Sequence, residues 1–356
     1  MGRIAEIMNK LPDVKQAALV TSDVSRHYLT GFKSSAGILV ITKEKSYLLI
    51  DFRYIDKAKQ EASEECDVIL LTNIREQLME LFVNHGIAEV YLESDCVTLS
   101  QLAKYKNDFA FLQFNTSSFL SELILDMRII KDKDELKYIV TAQRIAEKAY
   151  QRLLNDIKPG MTEKHVAALL DYYMAEYGSD GVSFDTIAAS GINSASPHAV
   201  PTDKKLQKNE FLTLDFGATY KGYHSDMTRT IAIGGATDEM RTMYSAVYSA
   251  NLDAIKAVRA GIGGKIPDSV ARSTLDAWGY AEYFGHGLGH GVGLEIHEAP
   301  TSSRNSVHTL KKGMILTIEP GVYISGKFGV RIEDMVCVTE DGCINLTNTT
   351  KSLTII

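Results

Sequence analysis

Two stretches of the chain place acids where acids do not ordinarily sit. In Phe211-Leu212-Thr213-Leu214-Asp215-Phe216-Gly217 the apolar residues alternate, so a strand here turns Leu212, Leu214 and Phe216 to one face and Thr213, Asp215 and Gly217 to the other. Asp is disfavoured inside strands, yet Asp215 lies in the middle of this one. The run Tyr223-His224-Ser225-Asp226-Met227-Thr228-Arg229-Thr230-Ile231 follows a Lys221-Gly222 turn signal, and a hairpin centred on Tyr220-Lys221 sets Asp226 directly opposite Asp215. The pattern recurs near the C-terminus. Leu316-Thr317-Ile318-Glu319 and Val330-Arg331-Ile332-Glu333 flank Ser325-Gly326-Lys327, and a hairpin centred on Gly326 opposes Glu319 to Glu333. Pro320 cannot donate to the ladder, which predicts a bulge beside Glu319 and fixes the register to about one rung. Directly opposed residues have Cβ atoms ~4.5–5.5 Å apart, so each pair of like charges repels unless a cation neutralises it. A single acid reads as an exposed turn residue; two matched pairs point to a metal centre on an internally duplicated frame.

The run Gly285-His286-Gly287-Leu288-Gly289-His290-Gly291-Val292-Gly293-Leu294-Glu295-Ile296-His297-Glu298 carries glycine at every second position from 285 to 293. A Gly-x-Gly nucleotide loop needs a following helix, and none is signalled here. His286 and His290 have the spacing of a helical zinc pair, but alternating glycines forbid a stable helix. The expectation is an extended segment passing close to a ligand, with the imidazoles of His286, His290 and His297 lining a site.

These groups need a frame, and the chain is long enough for two domains at 356 residues, of which 45% are hydrophobic. The first part alternates β-branched runs (17–20, 37–41, 47–50, 89–92) with helical stretches (74–83, 99–107), which reads as an α/β domain. The texture changes between 120 and 132. A helix then starts near Asp132 with Leu136, Ile139, Val140, Ala146, Ala149 and Leu153 inward, and Thr162-Glu163 opens a second after the Pro159-Gly160 stop. A third runs from Asp238 through Val258 with Gly261 as its stop, and strands lie between and after, so the second part is α+β. Residues 1–125 and 126–356 are the expected domains. The balance of 45 acids against 38 bases argues against a nucleic-acid partner. No apolar stretch reaches the ~20 residues of a membrane span, and the start is charged where a secretory core would lie, so the expectation is a cytoplasmic protein without a membrane partner. Cys66, Cys96, Cys337 and Cys343 form no Cys-x-x-Cys pair and read as small buried residues of a reducing compartment.

Four carboxylates in two pairs plus one His in a Gly-rich segment is the pattern of the pita-bread metallopeptidases, the family of methionine aminopeptidase, aminopeptidase P (Xaa-Pro aminopeptidase) and prolidase (Xaa-Pro dipeptidase). From about residue 130 onward the chain resembles that family through Leu214-Asp215-Phe216-Gly217, Ser225-Asp226-Met227-Thr228-Arg229-Thr230, His286-Gly287-Leu288-Gly289-His290, Glu319-Pro320-Gly321 and Arg331-Ile332-Glu333-Asp334. The resemblance implies that Asp215, Asp226, His290, Glu319 and Glu333 bind two divalent ions, with Asp226 and Glu333 bridging. Oxygen-rich ligation with one imidazole favours Mn(2+), with Co, Fe(II) or Zn as alternatives. It further implies a water activated between the ions to attack a peptide carbonyl, Glu319 as general base, and His297 at the oxyanion with Arg331 holding the bridging acids. His198 matches a residue that contacts substrate and shuttles a proton, and His286 one that lines a prolyl pocket, with a hydrogen-bond partner behind the ligands as its other reading.

The first 125 residues are similar, through Tyr28-Leu29-Thr30-Gly31-Phe32 and Ile50-Asp51-Phe52-Arg53-Tyr54, to the domain that precedes the catalytic domain in prolidase, aminopeptidase P and creatinase. Methionine aminopeptidase lacks that domain and creatinase lacks the metal ligands, so the two halves together imply cleavage of Xaa-Pro bonds in short proline-containing peptides by a homodimer. Asp51-Phe52-Arg53-Tyr54 favours aminopeptidase P over prolidase. The competing class is an inactive binding protein on the same fold, against which stands a complete ligand set.

Overall fold

The computed structural model describes residues 2–356. The chain divides into two compact units, Met1–Arg128 and Ile129–Ile356.

The first unit is a six-stranded sheet flanked by helices. Its strands are β1 (Gln16–Val20), β2 (Ile38–Thr42), β3 (Ser46–Ile50), β4 (Asp67–Leu70), β5 (Glu89–Leu92) and β6 (Gln113–Asn115), arranged β4-β3-β2-β1-β5-β6. β1–β2 and β2–β3 are antiparallel and the other pairs parallel. The helices are α1 (Arg3–Lys10), α2 (Asp23–Thr30), α3 (Ile55–Glu61), α4 (Ile74–Asn84), α5 (Leu99–Asp108) and α6 (Phe119–Arg128). Every residue of β2 and β3 is buried, as expected of strands covered on both faces. Local chemistry sets the helix ends. Ser22 Oγ caps α2 at the Ser25 N–H, Gly31 ends it at φ +71°, and Thr98 with Gln101 forms a capping box on α5.

The second unit has two similar halves. In the first half, α7 (Lys133–Asp156) and α8 (Glu163–Glu176) cover a sheet of β8 (Ile187–Ser190), β9 (Glu210–Phe216) and β12 (Met227–Ile233); the short β7 (Gly181–Val182), β10 (Ala218–Tyr220) and β11 (Tyr223–His224) form its outer end. Asp132 and Glu135 make a capping box on α7. Leu212, Leu214 and Phe216 pack with Ala146, Tyr150 and Leu170, on the face that alternation assigns to the core. In the second half, α9 (Asp238–Ala257) and α10 (Lys265–Ala277) pack against β15 (Ile315–Ile318), β18 (Asp334–Val338) and β19 (Cys343–Asn345). β16 (Gly321–Tyr323) pairs with β17 (Gly329–Arg331), and β13 (Gly289–Gly291) with β14 (Glu298–Ser302).

Three expectations change. α9 ends at Ala257 with extended Val258 as its cap, and Gly261 turns the chain beyond it. α10, absent from the sequence reading, carries Pro267 in its first turn, where the missing N–H breaks no helical bond. Of the four free cysteines, Cys96 is exposed rather than buried.

Candidate metal centre

The first acid pair sits in a hairpin whose register differs from expectation. Asp215 faces Thr228 rather than Asp226, because the turn is Lys221-Gly222, with φ +53° and +81°, and not Tyr220-Lys221. Moving the turn centre by one residue slides the pairing by two, so Asp226 keeps the face of Asp215 and becomes its diagonal neighbour. Asp226 falls in the break between β11 and β12. The C-terminal hairpin has the expected register: Gly321 pairs with Arg331 and Ile318 with Asp334 on either side of an interruption that leaves Glu319 and Glu333 facing each other. Pro320 causes that interruption, and its carbonyl still accepts from the Ile332 N–H at 3.4 Å.

Threonines join the two hairpins. Thr228 Oγ1 donates to Glu333 Oε2 at 2.7 Å, the Glu333 N–H donates to the Thr228 carbonyl at 3.1 Å, and Thr230 Oγ1 donates to the Arg331 carbonyl at 2.9 Å. The polar face of the first hairpin thus meets the second, and the acids converge.

The Gly-His run is extended only over β13 (Gly289–Gly291) and bends from Gly293 to His297, and the purpose of its glycines differs from the one expected. A Cβ at Gly289 would collide with the Thr317 carbonyl, and one at Gly291 with the Ala299 carbonyl, so the glycines admit neighbouring backbone rather than a ligand. α10 anchors this run from behind. Arg272, paired with buried Asp268 at 2.8 Å, donates to the Phe284 and His286 carbonyls, and Asp268 Oδ1 accepts from the Leu288 N–H. His290 Nδ1–H donates to the Gly291 carbonyl at 3.0 Å, which leaves the Nε2 lone pair 3.6 Å from Asp226 Oδ2 and 3.4 Å from Glu319 Oε1.

All nine side chains singled out from the sequence line one cavity of about 600 Å3. Within it Asp226, His290 and Glu333 bring one ligand atom each to within 4.8 Å of one another. Asp215 instead reaches Arg331, whose guanidinium also donates to Thr228 Oγ1 at 3.1 Å and to the Pro197 carbonyl at 3.2 Å. The His297 ring lies 4.3 Å from that of His290.

Electrostatics separates the site from an ordinary polar core. Burial, then Glu333, Asp215 and Glu319, push the Asp226 carboxyl well above the usual carboxylate range. Burial, then Glu319 and Asp215, do the same to Glu333. Burial pushes Glu319 up to about 8 although Arg331 opposes the shift. Burial holds His290 down at about 4, so its imidazole is neutral. Asp215 Oδ1 and Asp226 Oδ1 are buried without a hydrogen-bond partner. Acids pushed up by burial and by one another, two orphaned oxygens and a neutral imidazole presenting Nε2 are a donor set that fits divalent ions.

Two residues missed in the sequence organise the surroundings. Tyr323 receives from Arg331 at 2.7 Å and donates at 3.2 Å to His286 Nε2, whose Nδ1–H in turn donates to the Gly287 carbonyl at 2.8 Å. Burial lowers His286 to about 4 and raises Tyr323 to about 12, so this relay is neutral from Tyr323 onward. Glu163, fully buried at the start of α8, accepts from the Ser190 N–H at 2.6 Å and from the Thr202 N–H at 3.0 Å. It also accepts from Ser190 Oγ, Asn193 and Thr202 Oγ1. One carboxylate therefore ties both ends of the loop that carries exposed His198 into the cavity. An acid after a Thr cap reads as a helix start, which is why Glu163 gave no other signal.

Carboxylates converging with an imidazole in one cavity between two hairpins fit a metal-dependent hydrolase. Residues 137–340 match the model of metallopeptidase family M24, and residues 3–130 match the creatinase/prolidase N-terminal domain. The chain belongs to metallopeptidase family M24, with the N-terminal domain and α+β catalytic fold expected of it. It is 36% identical to the Xaa-Pro dipeptidase of Pyrococcus horikoshii over 99% of its length and 97% of that relative. Among solved structures it matches an Xaa-Pro dipeptidase from Bacillus anthracis (TM-score 0.94, 36% identity, 99% of both chains). It also matches an X-Pro aminopeptidase from Thermotoga maritima MSB8 (TM-score 0.91, 38% identity, 96% and 97% of the two chains). No helix among the described residues is long and apolar enough to cross a membrane.

Proposed function

We propose that this protein is an Xaa-Pro dipeptidase that uses two divalent ions, manganese by preference, to hydrolyse short proline-containing peptides. The observation that carries the reading is the joining of Asp226, His290 and Glu333 within one cavity, in a chain that aligns over almost its whole length with Xaa-Pro dipeptidases. The aminopeptidase P preference drawn from Asp51-Phe52-Arg53-Tyr54 gives way to the dipeptidase, which the names of these relatives favour; the Thermotoga maritima structure keeps the aminopeptidase as the second reading.

In this reading Asp215, Asp226, His290, Glu319 and Glu333 hold the ions. When bound, such ions polarise the scissile carbonyl and lower the pKa of the attacking water. Glu319 takes the proton of that water and passes it to the departing prolyl nitrogen. His297, beside His290, donates to the developing oxyanion, and Arg331 holds Asp215 in place. His198 meets the substrate from a loop held by Glu163, and neutral His286, fixed by Tyr323, faces the prolyl ring. A cytoplasmic homodimer belongs to the same reading, checked by light scattering on the purified protein.

The test offers Ala-Pro, Ala-Pro-Ala and Met-Ala-Ala to the Mn-loaded enzyme. Cleavage of Ala-Pro alone supports the dipeptidase. Cleavage of Ala-Pro-Ala makes it an aminopeptidase P, and cleavage of Met-Ala-Ala alone refutes proline specificity. Chelation must abolish the activity and Mn(2+) restore it.

A further inference from the structure

Behind the two glutamates, on the side away from the cavity, lies a buried polar network to which no role has been given. Its centre is Asn251, fully buried on α9. Asn251 Nδ2 donates to the carbonyls of Ile318 at 2.8 Å and Ile332 at 3.3 Å, the residues that immediately precede Glu319 and Glu333. One amide therefore clasps both strands at the ladder interruption where the two acids face each other. The amide orientation is fixed by chemistry. Lys351 Nζ, which only donates, lies 2.8 Å from Asn251 Oδ1, so Nδ2 must face the carbonyls.

Lys351 belongs to the C-terminal segment and also donates to Asp334 Oδ2 at 2.6 Å. The other oxygen of Asp334 accepts from Arg229 NH2 at 2.8 Å, and Arg229 NH1 donates to the Glu333 carbonyl at 2.5 Å and the Thr228 carbonyl at 2.9 Å. Arg229 further holds the segment at the Thr349 and Thr350 carbonyls. Glu319 and Glu333 are thus fixed through their backbones by groups that do not line the cavity.

We propose that Asn251 and Lys351 are positioning residues for the metal-binding glutamates: the C-terminal lysine orients the Asn251 amide, and the amide sets the spacing of Glu319 and Glu333. The proposal rests on the reading that these glutamates bind divalent ions. Losing the ammonium frees the amide to turn, and replacing the amide nitrogen by oxygen sets a repulsive atom against two carbonyls. Ligand separation then varies, and affinity falls while the ligands themselves are intact.

The test uses metal-free full-length protein titrated with MnCl2, with free Mn(2+) read from its electron paramagnetic resonance signal and folding checked by circular dichroism. Lys351→Met and Asn251→Asp should each weaken Mn(2+) binding by roughly 10–100-fold, the range typical of groups that support metal ligands from behind. Lys351→Arg, which keeps the donors, should recover most of the affinity, a rescue that a purely structural role in the segment would not show in this readout. Two folded variants with affinity within about twofold of the parent overturn the proposal, being below the range expected of supporting groups. So does failure of both to fold, which assigns the network to the fold instead. A parent protein that takes up no Mn(2+) refutes the metal reading itself, a result distinct from either.

Discussion

Removing the metal should leave the catalytic unit with a stability that falls as pH rises from 6.5 to about 8, and the size of the effect follows from the buried groups. Glu319 ionises at about 8 in the fold against an ordinary 4.5, with burial as the main cause. Between those limits the folded state holds a proton that the unfolded chain has lost, so stability falls as pH rises through the window. His286 and His290 act in the opposite sense. Burial lowers both from 6.5 to about 4, so their contribution is lost as pH falls through that interval and is constant above it. The span from 6.5 to about 8 therefore isolates the acids. At about 1.4 kcal/mol per tenfold change in proton activity, Glu319 alone costs on the order of 2 kcal/mol across it. Asp226 and Glu333, also pushed up by burial and by their neighbours, add in the same direction. In a unit the size of Ile129–Ile356, 2 kcal/mol corresponds to a fall of about 4–8 °C in midpoint. Calorimetry of chelated protein over this range reads it directly. Adding Mn(2+) should raise the midpoint, and more so at the alkaline end, because bound ions displace the protons that the acids otherwise keep. A metal-free midpoint that is flat or rises between pH 6.5 and 8, or a gain from Mn(2+) that does not change with pH, would refute the reasoning.

Three substitutions probe the rest. Asp226→Ala should lose both ions if, as the proposed reading has it, this carboxylate would serve each of them; elemental analysis finding two ions at near-normal occupancy would show that assignment is wrong. Glu163→Ala strands the Ser190 and Thr202 N–H groups, each costing about 1–3 kcal/mol, and loosens the His198 loop. Thermal melts and peptide kinetics should show lower stability together with lower kcat/KM, and unchanged kcat/KM would separate the loop from catalysis. Arg229→Met leaves Asp334 in a fully buried site without its guanidinium partner and should cost about 3–5 kcal/mol by denaturant titration. A loss under about 1 kcal/mol would mean that Lys351 and Asn345 suffice to hold that carboxylate.

The chemistry was more legible in the sequence than the geometry that holds it, and the two hairpins show why. Alternation decides which face a side chain takes, and any register with the same turn parity preserves that face. The first hairpin could therefore be placed one turn residue away from its true centre and still send Asp215 and Asp226 to the same side. Its turn is the signalled Lys221-Gly222 pair itself, with left-handed backbone at both residues, and taking those two as the central residues gives the observed register. The second hairpin turns at Gly326, with φ +78°, and its register was correct throughout. Polar residues that act over long separations left no comparable trace. Asn251 serves carbonyls 67 and 81 positions away, and Lys351 reaches back 100 residues. Each sits in an ordinary local context, a helix and a terminal segment, where hydrophobic period and turn chemistry carry no information about partners. α10 was hidden for the reverse reason, since Gly263-Gly264 and Pro267 are strong local breakers, yet Pro is harmless in a first turn and Ala271 and Leu275 still bury the helix against the core. Local rules thus locate the candidate ligands, while their spacing is decided by contacts that only the folded chain makes, and ligand geometry is what divalent ions discriminate.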